Sequence, residues 1–119
     1  MSTAADFRRI ALSFEGTTSA PHFDRTAFKV ARTYATLAPD AKTANLKFTP
    51  DEQALKCLVA ADAFAAIPNG WGRQGWTTVT LAKLSVAELR NALEMAWRHA
   101  LAKRKPARGR ASAASRRKS

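Results

Sequence analysis

The sequence predicts an α+β domain, a two-layer sandwich in which an antiparallel sheet of about five strands carries three main helices on one face. Three observations lead there. Apolar residues recur at helical spacing in three capped segments, short Thr- and Val-rich runs lie between them, and the last 17 residues hold nothing that can build a core. A chain of 119 residues has room for one domain and one core. Its 46% apolar and 24% charged residues are ordinary for a globular protein.

Each helix has its own start signal. Thr3 stands three residues before Asp6, a capping-box spacing, ahead of Phe7, Ile10, Ala11 and Phe14 at i, i+3, i+4 and i+7. Gly16 supplies a stop. Thr49, Pro50, Asp51 and Glu52 place a hydroxyl at the N-cap, proline at N1 and a carboxylate at N3, and Leu55, Leu58 and Val59 then form the expected core stripe. The third helix begins at the Ser85/Glu88 box. Val86, Leu89, Leu93, Ala96, Trp97, Ala100 and Leu101 share one face. Arg90, Asn91, Glu94 and Arg98 mostly take the other, with Glu94 and Arg98 spaced for an ion pair.

Strands are expected at residues 26–30, 33–38, 43–48 and 76–81. In the third of these, Ala44, Leu46 and Phe48 alternate with Asn45 and Lys47, the pattern of a sheet with one wet face. Thr77, Val79 and Leu81 share a side in the last. Ala31-Arg32 and Pro39-Asp40-Ala41-Lys42 are the expected connections, although neither carries an Asn-Gly type signal. Helix, antiparallel strands, helix, strand, helix is the order of a two-layer sandwich.

Residues 1–102 form the domain and 103–119 a tail. The tail is expected to be disordered, because its Ala, Arg, Lys, Ser, Pro and Gly cannot bury enough apolar surface to offset ordering. Eight of the 20 basic residues lie there with no acid: Lys103, Arg104, Lys105, Arg108, Arg110, Arg116, Arg117 and Lys118. The domain keeps 12 basic against nine acidic groups, so most of the +11 charge sits on the tail. The longest apolar stretch, residues 58–67, is broken by Asp62 and too short to span a bilayer, so no membrane role is expected. The first residues lack a basic and an apolar signal region, and the lone Cys57 fits a reducing compartment; a cytoplasmic location is expected.

Three segments carry a resemblance that periodicity does not. Ala11-Leu12-Ser13-Phe14-Glu15-Gly16 closes the first helix with a leucine, acid and glycine pattern. Pro21-His22-Phe23-Asp24-Arg25-Thr26-Ala27-Phe28-Lys29-Val30 reads as a first hairpin strand, and Gly70-Trp71-Gly72-Arg73-Gln74-Gly75-Trp76 as a glycine and tryptophan loop before a last strand. Together, and in this order over residues 5–102, they resemble the MmcQ/YjbR family. The resemblance implies helices layered on an antiparallel sheet, loops forming a double-wing DNA-binding motif, and no known reaction. The tail lies outside it.

The glycine loop also matches G-x-G-x-x-G. A dinucleotide site needs a strand before that pattern, a helix after it and an acid about 20 residues on. Here a strand follows and Met95 stands at that distance. The plainer reading is a tight loop whose glycines let the chain turn while Trp71 and Trp76 pack or shield it. Only His22, His99 and Cys57 offer nitrogen or sulfur ligands, and none are paired at metal spacing. His99 is expected on the solvated side of its helix and Cys57 off the apolar stripe. His22 near Asp24 or Glu15 suggests a catalytic pair, but no nucleophile is marked. No catalytic residue, metal or cofactor is assigned.

The leading expectation is weak, largely sequence-independent binding of nucleic acid, specifically double-stranded DNA. Lys29 and Arg32 on the first hairpin and Arg73 beside Trp71 and Trp76 are the domain's contacts, joined by the eight tail cations. If all eight engaged phosphates, log affinity would fall against log salt with a slope of about −7. The competing class is a protein-interaction module or homodimer using the open sheet face. A basic ridge joining the two loops favours DNA, and an apolar patch with the cations far apart favours a protein. An enzyme is third, and would need polar groups converging around His22.

Overall fold

Four α-helices, six strands and a short 3-10 turn at Leu81–Lys83 build residues 1–102, the part of the chain that the computed structural model describes; the expected tail disorder lies outside the described residues. In chain order they are α1 (Ala4–Ser13), β1 (Thr18–His22), β2 (Arg25–Lys29), β3 (Thr33–Leu37), β4 (Thr43–Lys47), α2 (Pro50–Val59), β5 (Phe64–Ala66), the single turn α3 (Gly70–Arg73), β6 (Trp76–Thr80) and α4 (Val86–Ala102). The sheet runs β1-β2-β3-β4-β6-β5, every neighbour antiparallel.

The three capping boxes form as expected. Thr3 Oγ1 accepts the Asp6 N–H at 3.2 Å, while Asp6 accepts the Thr3 N–H at 3.0 Å. The Thr3 backbone bond is the main reason that the Asp6 carboxyl titrates below its ordinary value. Thr49 with Glu52, and Ser85 with Glu88, repeat the exchange.

The two strands that pattern does not predict are the sheet's edges. All five residues of β1 are exposed, so no alternation marks it, and Pro21 is tolerated because an edge strand has unpaired donors anyway. Only three residues make β5. The segment 21–30 is a hairpin and not a single strand: Pro21 and His22 end β1, Phe23 and Asp24 turn, and His22 pairs Arg25.

The core lies between the sheet and the helices. Phe7, Ile10 and Ala11 of α1 and Leu89, Ala92, Leu93, Ala96 and Ala100 of α4 meet Phe28, Leu37, Ala44, Leu46 and Val79 from the strands and Phe48 just past β4. Phe7 stands edge-on to Phe28 at 5.4 Å. Between the pairs Phe28/Ala35 and Lys29/Thr33, β3 advances one residue more than β2, and the extra residue is Tyr34. This bulge re-aims its side chain into the core. There the hydroxyl meets Thr17 Oγ1 at 2.9 Å and the Ala11 carbonyl at 3.4 Å. Burial raises the phenol to about 12.

Two sequence expectations fail on the helices. Leu55, Leu58 and Val59 are exposed, Leu58 at 81%, and do not form a core stripe. The inward face of α2 is Gln53, Lys56, Cys57 and Ala60 instead. The cause is polar: Gln53 Nε2 lies 2.9 Å from the Gly72 carbonyl, 3.0 Å from that of Trp76 and 3.1 Å from Thr77 Oγ1, and these bonds set the helix's rotation. Cys57 therefore packs on the core's margin. On α4, Val86 is exposed and Ala92 is buried in the stripe. Trp97 is half-buried, stacks on Phe14 at 5.3 Å and donates its indole N–H to Glu15 O at 3.0 Å. His99 is half-buried and not on a fully solvated face. The Glu94–Arg98 pair forms at 2.6 Å.

Urea denaturation tests this core assignment: Leu58→Ser should change stability by under about 0.5 kcal/mol, whereas Leu93→Ala should cost roughly 2–5 kcal/mol. Tyr34 gives a pH test. Its folded pKa lies above the ordinary value of 10.0, so its contribution is complete below pH 10 and is lost as pH rises towards about 12. Tyr34→Phe should flatten the loss of stability across that window; an unchanged profile would contradict the burial argument.

Candidate functional site

No acidic residue lies in any of the six strands; the nine acids of the chain occupy helices, turns and connections. Side chains alternate along each strand, so the face away from the helices can be read from the ladder. Ala27, Thr36, Asn45, Thr78 and Ala65 form one row across it. Arg25, Lys29 and Lys47 fall on the same side of their strands, opposite to buried Phe28 and Leu46. Every charge that the strands present on the open face is therefore positive.

A shallow cleft of about 380 Å³ crosses this face, lined by His22, Arg25, Thr33, Thr36, Asn45, Ile67, Trp71 and Trp76. Arg25 is half-buried and fixed by Thr36, with Nε donating to Oγ1 at 2.8 Å and Nη2 to the carbonyl at 3.4 Å. Thr78 donates its hydroxyl to Asn45 Oδ1 at 2.9 Å. Trp76 stands on β6 opposite Lys47. Trp71 is 59% exposed and projects from α3, whose start is set by Asn69 accepting the Trp71 N–H at 2.8 Å.

The glycines hold this wall in place by close backbone approach. A Cβ at Gly72 would collide with the Ile67 carbonyl, and one at Gly75 with that of Phe48, where φ is also +108°. The Phe48 N–H in turn donates to Gly75 O at 3.1 Å. The G-x-G-x-x-G pattern thus serves chain packing, and the segment is a helical turn where a simple loop was expected.

The sequence-predicted residues are partly gathered. Lys29 is exposed on β2, Arg32 is exposed in the β2–β3 connection, and Trp71 and Arg73 are exposed on α3. Lys29 pairs Thr33 at the same end of the sheet where Lys47 pairs Trp76, so both predicted loops flank one end of the open face. Three strand spacings, about 14 Å, separate β2 from β6. Of the four residues, only Trp71 lines the cleft. Lys103, Arg104, Lys105, Arg108, Arg110, Arg116, Arg117 and Lys118 lie outside the described residues.

Sequence reasoning missed Arg25, Thr36 and Trp76 as cleft residues, and Phe23. Their signal was available only for β4, where Asn45 and Lys47 alternate with core residues. Phe23 sits at the β1–β2 turn with φ +58° and is 94% exposed, an uncommon conformation for a bulky residue. It packs edge-on to His22 at 4.8 Å. Among the described residues, no hydrogen bond joins His22 to Asp24 or Glu15, and no group of three His, Cys, Asp or Glu is placed to hold a metal ion. No described helix is long and apolar enough to cross a membrane.

Comparison with known proteins bears on the fold. Residues 12–99 match the family described as YjbR. The chain is similar to the crystal structure of Deinococcus radiodurans protein DR2400, described as a DUF419 domain. The TM-score is 0.68 at 21% identity, over 81% of this chain and 76% of that one. No curated protein matches.

The glycine argument yields a stability test. Gly75→Ala should cost about 2 kcal/mol or more, from strain and collision together. Gly70→Ala, whose new Cβ meets only the tip of Arg73 at 3.7 Å, should lie within about 1 kcal/mol of the parent. Equal effects in thermal or urea melts would contradict the close-approach account.

Proposed function

The chain belongs to the YjbR family, and from that premise we propose that it binds nucleic acid through the open sheet face, weakly and largely without sequence preference. The observation that carries this reading is the segregation of charge: Arg25, Lys29 and Lys47 on the strands, with no acid in any of them. Cations placed this way contact phosphate, which fixes position on a strand without reading its bases. Double-stranded DNA is the proposed partner. Arg32 and Arg73 belong to connections at the same end of the open face, where both can meet the phosphate backbone of one duplex. The eight tail cations add a separate, sequence-blind contribution.

The reading of this face as a homodimer surface is disfavoured by the same charges, since two copies face to face would oppose Arg25, Lys29 and Lys47. A protein partner is favoured by a different feature, the exposed Leu55, Leu58 and Val59 of α2, on the helical side.

Fluorescence anisotropy with a labelled duplex across a salt series tests the proposal. It compares the full chain with one whose eight tail cations are changed to glutamine. The tail-neutralised chain should still bind at low salt. Lys29→Ala and Arg73→Ala should each weaken it several-fold and reduce the salt slope by about 0.9. No binding by the tail-neutralised chain would assign all affinity to the tail. Unchanged affinity in both alanine variants would remove the two loops from the interface.

A further inference from the structure

We propose that the open-face cleft holds one unpaired nucleobase with its sugar, so that this chain prefers nucleic acid containing an unstacked base over a fully paired duplex. The inference rests on the nucleic-acid reading above and adds a base site to its phosphate contacts. Four observations support it.

The first is the supply of aromatic surface. Trp71 is 59% exposed, and it lines the cleft together with Trp76. An exposed tryptophan on a surface turn has no core to fill, and every base offers a π-face to it. The second is the donor set. Trp97 gives its indole N–H to Glu15 O, but neither Trp71 nor Trp76 finds an acceptor for its indole N–H among the described residues. Arg25 uses two of its five N–H donors on Thr36, and Asn45 has its oxygen occupied by Thr78, leaving its amide N–H groups. A cleft rich in donors calls for a ligand that brings acceptors, as base carbonyl and ring nitrogens do.

Charge is the third. The cations Arg25, Lys29 and Lys47 surround the cleft with the sign that the phosphates flanking such a base require. Size is the fourth: about 380 Å³ lies at the lower end of the ~300–1,000 Å³ range of small-ligand sites. In a paired duplex both faces of each base are covered by its neighbours, and the tryptophans have nothing to stack on. Phe23, packed edge-on to His22, is an exposed ring at the tip of the β1–β2 hairpin.

The test uses the full chain and three labelled ligands in anisotropy titrations: a paired duplex, the same duplex with one unpaired adenine, and a free adenine mononucleotide. The duplex with the unpaired base should bind about fivefold tighter or more than the paired one, the lower bound of one stacked base. Trp71→Ala should bring the two duplexes within about twofold, and Trp71→Phe should restore most of the preference. Circular dichroism of each variant checks the fold. Equal affinity for the two duplexes, with both bound, overturns the base site and leaves the phosphate reading standing. A preference that survives Trp71→Ala also overturns it, because the chain would then be reading the bend and not the base. Mononucleotide binding as tight as the unpaired duplex would overturn the assignment to a nucleic-acid strand. No binding of either duplex removes the nucleic-acid reading itself.

Discussion

The close backbone approach between Gly75 and Phe48 is the contact on which the open face depends. It brings the segment 67–76 against the end of β4 so tightly that no side chain fits between them. Gln53 completes the clamp from the helical side by bonding the carbonyls of Gly72 and Trp76. One joint therefore fixes the position of α3, the phase of α2 and the wall that carries Trp71 and Trp76. The same polar anchor explains why α2 turns its leucines to solvent. The Gln53 amide, placed within reach of two backbone carbonyls and the Thr77 hydroxyl, outweighs the modest burial that a ten-residue helix at a sheet edge can gain.

Much of the fold was legible because it obeys strong local rules. Capping residues such as Thr3, Thr49 and Ser85 satisfy helix donors wherever the helix packs, so they read directly from sequence. The alternation through Ala44, Leu46 and Phe48 is equally local. What escaped was decided by tertiary contact. The strand β1 has no buried side and β5 has three residues, so neither leaves a period to detect. Leu55 and Leu58 look like a core stripe until Gln53 finds its acceptors some 20 residues away in sequence. The cleft was illegible for a related reason. Arg25, Thr36, Asn45 and Trp76 come from four strands, and only the register of the sheet brings them together. Trp71, Lys29, Arg32 and Arg73 are legible in the sequence itself, and the sheet places their segments at one end of one face.

Charge divides the molecule in two ways. Along the chain, most of the positive excess belongs to 103–119, beyond the family's match to residues 12–99. Across the domain, the acids keep to helices and connections while the strands carry only cations. The first division bears on affinity at low salt and on little else. The second is tied to a surface of defined shape, with aromatic side chains beside the cations, and it is the one from which a mode of recognition can be argued.

Amide chemical-shift mapping during titration of the full chain with DNA tests the central claim most directly. If the open sheet face is the interface, the largest domain shifts fall on residues 22–29, 33–36, 45–47 and 71–76. Shifts confined to residues 103–119, or centred on the exposed face of α2, would contradict the account.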